Sequence, residues 1–179
     1  MNDFGVVTAP RTVRIERLLS GPIERVWSYL TESEKRGRWL ASGEMELRVG
    51  GRVEHVFNNS ELTEHDDPAP PKYAKYACES RMQGKITECE PPRLLSYTWG
   101  GDSAEGSEVR FELTPRADKV LLVVTHRRLA DHDAIISVAA GWHTHLDILL
   151  DRLEDREPAG FWATHTRLEA EYERRIPTG

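Results

Sequence analysis

His126, His143 and His145 are the residues of this 179-residue chain that come nearest to chemistry. An imidazole titrates near neutrality and can serve as general base, general acid or hydrogen-bond acceptor. His126 ends the apolar run Val120–His126 and, by alternation, shares a face with Leu122 and Val124. There it would hydrogen-bond a ligand or act as a base; as the structural alternative, it would be paired with backbone or with the loop to Leu129. His143 and His145, two residues apart on a helix, point to different sides and cannot chelate one ion together. A helical zinc pair would use the i, i+4 spacing of HExxH, which is absent, and pairing His145 with a sheet residue such as His55 has no spacing in its favour, so no metal is expected. His145 interrupts an apolar stripe between Trp142 and Leu149, and is read as lining a cavity or sitting at its rim.

The carboxylates offer less. Asp66–Asp67 and Asp102–Glu105 fall in turn-like stretches where solvent exposure is expected. Asp131 and Asp133 flank His132 at a helix start, where Asp caps are ordinary. No GxSxG, Cys-His, Walker or GxGxxG pattern is present, so no catalytic residue and no cofactor is assigned.

Elements that would position these residues follow from periodicity. Met1–Arg11 carry no period and read as a flexible start. Thr12–Leu19 alternates with Val13 and Ile15 on one face. Pro22 suits a first helical turn, and Ile23, Val26, Trp27 and Leu30 fall at helical spacing. Thr31 with Glu34 has the form of a capping box for a second short helix, TESEKRGRWL. Strands follow at Arg52–Phe57, Met82–Thr87, Leu95–Trp99, Val109–Leu113 and Val120–His126. The last is apolar on nearly every position, as a mid-sheet strand would be. Strands this closely spaced pair antiparallel. Between Phe57 and Met82, the polar, proline-rich Asn58–Ser80 is too long for a hairpin loop and reads as a flap over a cavity mouth or a mobile insertion. After Asp131 the period becomes helical, with Trp142, His145, Leu146, Leu149 and Leu153 in one stripe. Pro158–Gly160 breaks the helix, and Phe161–Ile176 packs back as a helical extension spanning 157–176. Residues 12–179 are expected to form a single domain.

A net charge of -6 lacks the basic footprint of nucleic-acid binding. No apolar run approaches the ~20 residues of a membrane span. Cys78 and Cys89 lie in no CxxC, and the N-terminus has no signal-peptide core, which favours reduced thiols and a cytoplasmic location.

One strand, two short helices, an antiparallel sheet and a long C-terminal helix look like the α+β helix-grip fold of START-like (Bet v 1-like) proteins. VWSYLTESEKRGRWL, GKITECEPPRLLSYTW, LLVVTHRRL and AGWHTHLDILLDRL, in that order within about Val13–Ile176, resemble the bacterial family named after the C-terminal domain of the activator of Hsp90 ATPase. The tail REPAGFWATHTRLEAEYERRI is similar to an extension many members carry. The resemblance implies a curved antiparallel sheet wrapped around the long helix, with a cavity between them. Its expected lining is His55, Phe57, Met82, Tyr97, Trp99, Phe111 and His126 from the sheet, Trp39 from the short helices, and Trp142, His145 and Leu149 from the long helix. The aromatic members would equally serve as core filling. Three functions follow as expectations, in order. The first is binding of an unidentified hydrophobic or aromatic small molecule. The second is a polyketide cyclase or aromatase-like enzyme using His126, His145, Tyr97 or His55. The third is Hsp90 binding, ranked last because no counterpart of that activator's separate N-terminal domain is found in the sequence. The reading leans against an enzyme, and oligomeric state is left open.

Overall fold

The computed structural model describes residues 3–100 and 106–178. Met1, Asn2 and the Asp102–Glu105 carboxylates lie outside the described residues. Seven strands, β1 (Val6–Ala9), β2 (Thr12–Ser20), β3 (Arg52–Phe57), β4 (Ser80–Glu90), β5 (Leu94–Trp99), β6 (Ser107–Arg116) and β7 (Lys119–Arg127), form one curved sheet. Their order is β1-β2-β7-β6-β5-β4-β3 and every neighbouring pair is antiparallel. The helices α1 (Ile23–Thr31) and α2 (Ser33–Arg36) carry the chain from β2 to the far edge at β3. Helix α3 (His132–Leu153) packs on the sheet, and α4 (Phe161–Arg175) packs on α3. This is the expected α+β helix-grip architecture.

The pattern of side chains explains the placement. On β2, Val13, Ile15 and Leu19 are buried at every second position. Strand β7 lies between β2 and β6, and its continuous apolar run is buried on both faces: Leu122 and Val124 on one, Val123 on the other. Asp131 caps α3, its Oδ1 accepting from Ala134 N at 2.9 Å. From there Trp142, His145, Leu146, Leu149 and Leu153 are buried as one stripe.

Three local expectations are corrected. Val6–Ala9, read as part of a flexible start, is an edge strand paired with β2; all four residues are exposed, so no alternation marks it. Thr31 caps nothing. It is the last residue of α1, its hydroxyl donates to Trp27 O at 2.9 Å, and α2 is a single turn entered from Glu32 without a side-chain cap. The corner is held instead by Arg36, fully buried, whose guanidinium donates to the carbonyls of Leu30, Thr31, Ala41 and Gly43.

The third correction concerns Asp66, expected to be an exposed turn carboxylate. It is half-buried and accepts from the backbone N–H groups of Trp162, at 2.9 Å, and Ala163, at 3.2 Å. Thr63 Oγ1 accepts from Phe161 N at 3.1 Å. The first turn of α4 is thus capped from a segment almost a hundred residues away, which also places a negative charge at the positive end of the helix. Gly160 makes this approach possible: a Cβ there would lie 2.7 Å from both Asp66 Oδ1 and His65 O. The Asn58–Ser80 segment holds two 3₁₀ turns, Asn59–Glu61 and Pro71–Tyr76, and is fastened to α4 along much of its length.

Candidate functional site

Where α3, the sheet, the Asn58–Ser80 segment and the start of α4 meet, they enclose a cavity of about 210 Å³. From the sheet come Phe57, Ser80, Trp99 and His126; from α3 come Ser137, Val138, Gly141, Trp142 and His145. The 58–80 segment adds Asn59, Tyr73 and Tyr76; α4 adds Phe161, Trp162 and His165; Leu40 completes the wall. Five of the expected lining residues are therefore brought together: Phe57, Trp99, His126, Trp142 and His145. Trp99 and Trp142 meet edge to face with ring centroids 5.4 Å apart.

The other six do not line it. Trp39, Tyr97, Phe111 and Leu149 are fully buried core side chains. Trp39 donates its indole N–H to Tyr29 O at 2.7 Å, which anchors it between α1 and α3. His55 is buried with its Nε2 against Tyr97 Oη at 2.8 Å. Met82 lies opposite His55 in the β3–β4 register and is half-buried. His55, Met82, Tyr97 and Phe111 are sheet residues, Trp39 and Leu149 pack from the helical side, and the cavity occupies only one end of the space between. The rest is filled by the α1–α2 corner.

Four lining aromatic residues lie in segments that carry no strand or stripe signal. Tyr73 and Tyr76 come from the 3₁₀ turn, and Phe161 and Trp162 from the first turn of α4. Tyr73 stacks on Trp162 at 5.8 Å. Its hydroxyl is hydrogen-bonded to Glu169 Oε2 and, at 3.2 Å, to Ser137 Oγ; Lys72 Nζ reaches Glu169 Oε1 at 3.0 Å. This network ties the 58–80 segment to both helices at the cavity mouth. The only sequence sign was the aromatic content of FWATH and of KYAKY.

The histidines differ in what is left over. Trp142 Nε1 can only donate, and it does so to His126 Nδ1 at 3.0 Å. The proton of neutral His126 is therefore on Nε2, which faces Ser107 Oγ at 2.9 Å. Burial pushes the His126 pKa down to about 3, and both ring nitrogens are occupied. His145 is 7% exposed, and its Nδ1 lies 2.8 Å from Trp39 O. A carbonyl can only accept, so Nδ1 carries the proton and Nε2 presents a lone pair. No residue among those described bonds that Nε2. Desolvation holds the His145 pKa at about 4, against the opposing pull of the Trp39 carbonyl. Two more lining groups are short of partners: the buried atoms His165 Nδ1 and Asn59 Oδ1 have no hydrogen bond. His165 is likewise shifted down by burial.

Gly141 adds a sign of a different kind. It sits inside α3, where glycine costs about 1 kcal/mol relative to alanine. A Cβ there would meet nothing within 4 Å. The helix is bare where it faces the cavity.

This architecture defines a helix-grip protein with an aromatic cavity. Residues 20–154 match the family model described as Activator of Hsp90 ATPase homolog 1-like protein, and the chain belongs to that family. The solution structure of the protein encoded by BPP1335 from Bordetella parapertussis is similar, with 43% identity, a TM-score of 0.81, and coverage of 99% of this chain and 92% of that one. CalU16 from Micromonospora echinospora shares the fold at 21% identity and TM-score 0.68, covering 93% of this chain and 89% of its own. DynU16, from the dynemicin biosynthetic locus, shares it at 18% identity and TM-score 0.63, over 83% of this chain and 49% of its own. No curated protein matches the chain. Among the described residues no helix is long and apolar enough to cross a membrane.

Proposed function

We propose that the protein binds a small apolar, ring-containing molecule in the cavity between the sheet, α3 and α4. The observation that carries this reading is the aromatic-lined space of about 210 Å³ onto which the side-chain-free face of Gly141 opens. Concave, mostly apolar sites with a few placed polar groups are the usual form of small-molecule sites. Phe57, Trp99, Trp142, Phe161 and Trp162 supply the apolar wall, and His145 is the placed polar group.

The test is a titration of wild type and Gly141→Leu with naphthalene, followed by tryptophan fluorescence. Saturable binding of naphthalene is expected in wild type, and its loss in Gly141→Leu, with a thermal midpoint no lower than wild type. Equal binding by both proteins would place the probe elsewhere and overturn the reading.

A second reading, an enzyme of the cyclase type, has one observation in its favour: His145 Nε2 is an unoccupied basic atom beside the cavity. A base with a pKa of about 4 removes protons weakly at neutral pH. His126, the other candidate base, has no free ring nitrogen. Turnover that survives His145→Asn would remove His145 as its base, and with it the one observation that favours this reading.

A further inference from the structure

We infer that the occupant of the cavity is an uncharged molecule of one or two rings that donates an O–H or N–H hydrogen bond to His145 Nε2. This rests on the binding reading above and adds the chemistry of what is bound.

The acceptor character of His145 is fixed by its partner. Trp39 O takes the Nδ1 proton at 2.8 Å, which leaves a lone pair on Nε2 of a side chain only 7% exposed. An occupant that covers this acceptor without a donor forfeits the hydrogen bond that water would make to it, and one that supplies a donor keeps it. A second acceptor, Asn59 Oδ1, lines the same cavity, is buried, and has no partner. Two unpaired acceptors in one small apolar space call for a donor.

Charge is excluded on separate grounds. No Lys, Arg, Asp or Glu is among the lining residues. His145 and His165 add no positive charge near neutral pH, since burial favours their neutral forms. A carboxylate or phosphate entering here would lose its water and meet the lone pair of His145 in place of a cation, which is costly. An ammonium group would find the acceptors and the aromatic faces but no carboxylate in the lining, since Glu169 at the mouth is already held by Lys72 and the Tyr73 hydroxyl. Size gives the third limit. At about 210 Å³ the cavity falls below the roughly 300–1,000 Å³ of sites for drug-sized molecules, which suits one or two rings and not a polycycle.

Four probes of one shape separate these terms: naphthalene, 2-naphthol, 2-naphthoate and 2-naphthylmethylammonium, each titrated calorimetrically at pH 7. The expected result is that 2-naphthol binds about five- to tenfold more tightly than naphthalene, the worth of one net hydrogen bond, and both ions bind at least tenfold more weakly than 2-naphthol. His145→Asn keeps an N–H to face Trp39 O and deletes the Nε2 acceptor, so in that variant 2-naphthol should fall to the affinity of naphthalene. Equal affinities for naphthalene and 2-naphthol in wild type, or tighter binding of either ion, would overturn the inference and leave the binding reading intact. Failure of all four, naphthalene included, would overturn the binding reading itself. The wild-type comparison decides the matter even where the variant does not fold.

Discussion

His143 and His145 are two residues apart on α3, equally buried, and belong to opposite worlds. His143 faces away from the cavity into a closed network. Gly5 N donates to Tyr172 Oη at 2.7 Å, Tyr172 Oη is 2.9 Å from His143 Nδ1, and His143 Nε2 lies 3.5 Å from Asp147 Oδ2. Arg17, itself 3% exposed, binds Asp147 Oδ1 through Nε and Nη2. The Asp147 carboxylate can only accept, which sets the His143 proton on Nε2 facing it and leaves Nδ1 to accept from the Tyr172 hydroxyl. The ring is neutral, its pKa pushed down to about 3 first by burial and then by Arg17. Each ring nitrogen of His143 thus faces a group of the protein. His145 has a protein partner on one side only, and its other side faces the cavity. The difference teaches that burial and a lowered pKa do not mark a binding group. An unspent lone pair beside a cavity does.

Acid strikes both sides alike, and with the largest effect. His55, His126 and His143 are held near pKa 3 and His145 near 4, whereas an unfolded chain titrates them near 6.5. As pH falls below 6.5 the unfolded state takes up the protons first, so the stability these neutral rings carry is lost on the way down to pH 4 and then 3. Each ring contributes about 1.4 kcal/mol per pH unit, or about 5 kcal/mol per unit for the four. Circular dichroism should therefore show cooperative unfolding at about pH 4–5. A fold unchanged at pH 4 would refute the assigned protonation states.

Tyr172→Ala breaks the closed side alone. The ring is fully buried against Phe4 and His143, and its removal should cost about 3–5 kcal/mol in chemical denaturation. Naphthalene affinity of the folded fraction should not change, and a parallel loss of affinity would erase the contrast between the two sides. Asp66→Ala acts on the cavity side with a smaller effect, about 1–2 kcal/mol for a lost helix cap. Because Asp66 holds the first turn of α4 and with it Trp162 at the cavity wall, weaker naphthalene binding should accompany it.

How much of this was legible in the residues follows from where each signal resides. Alternation on β2 and β7 and the stripe on α3 report burial along a single element, and they specify the sheet and the gripping helix. Strand β1 was invisible because an exposed edge strand has no buried face to alternate with. The cavity was half legible. Tyr97 and Phe111 share the inner face with Trp99, and no periodicity says which end of that face is filled. The wall made by Tyr73, Tyr76, Phe161 and Trp162 depends on Asp66 and Thr63 reaching the first turn of α4, a contact across nearly a hundred residues. Nor could spacing show that the Trp39 carbonyl would fix the tautomer of His145.

That tautomer gives the most direct test. Long-range proton–nitrogen correlation spectra of the histidine side chains at pH 7 should show His126 and His143 protonated on Nε2 and His145 on Nδ1. Adding 2-naphthol should shift the Nε2 resonance of His145 and leave both nitrogens of His143 in place. A His145 protonated on Nε2, or a saturating 2-naphthol titration that leaves its resonances unmoved, would contradict the account.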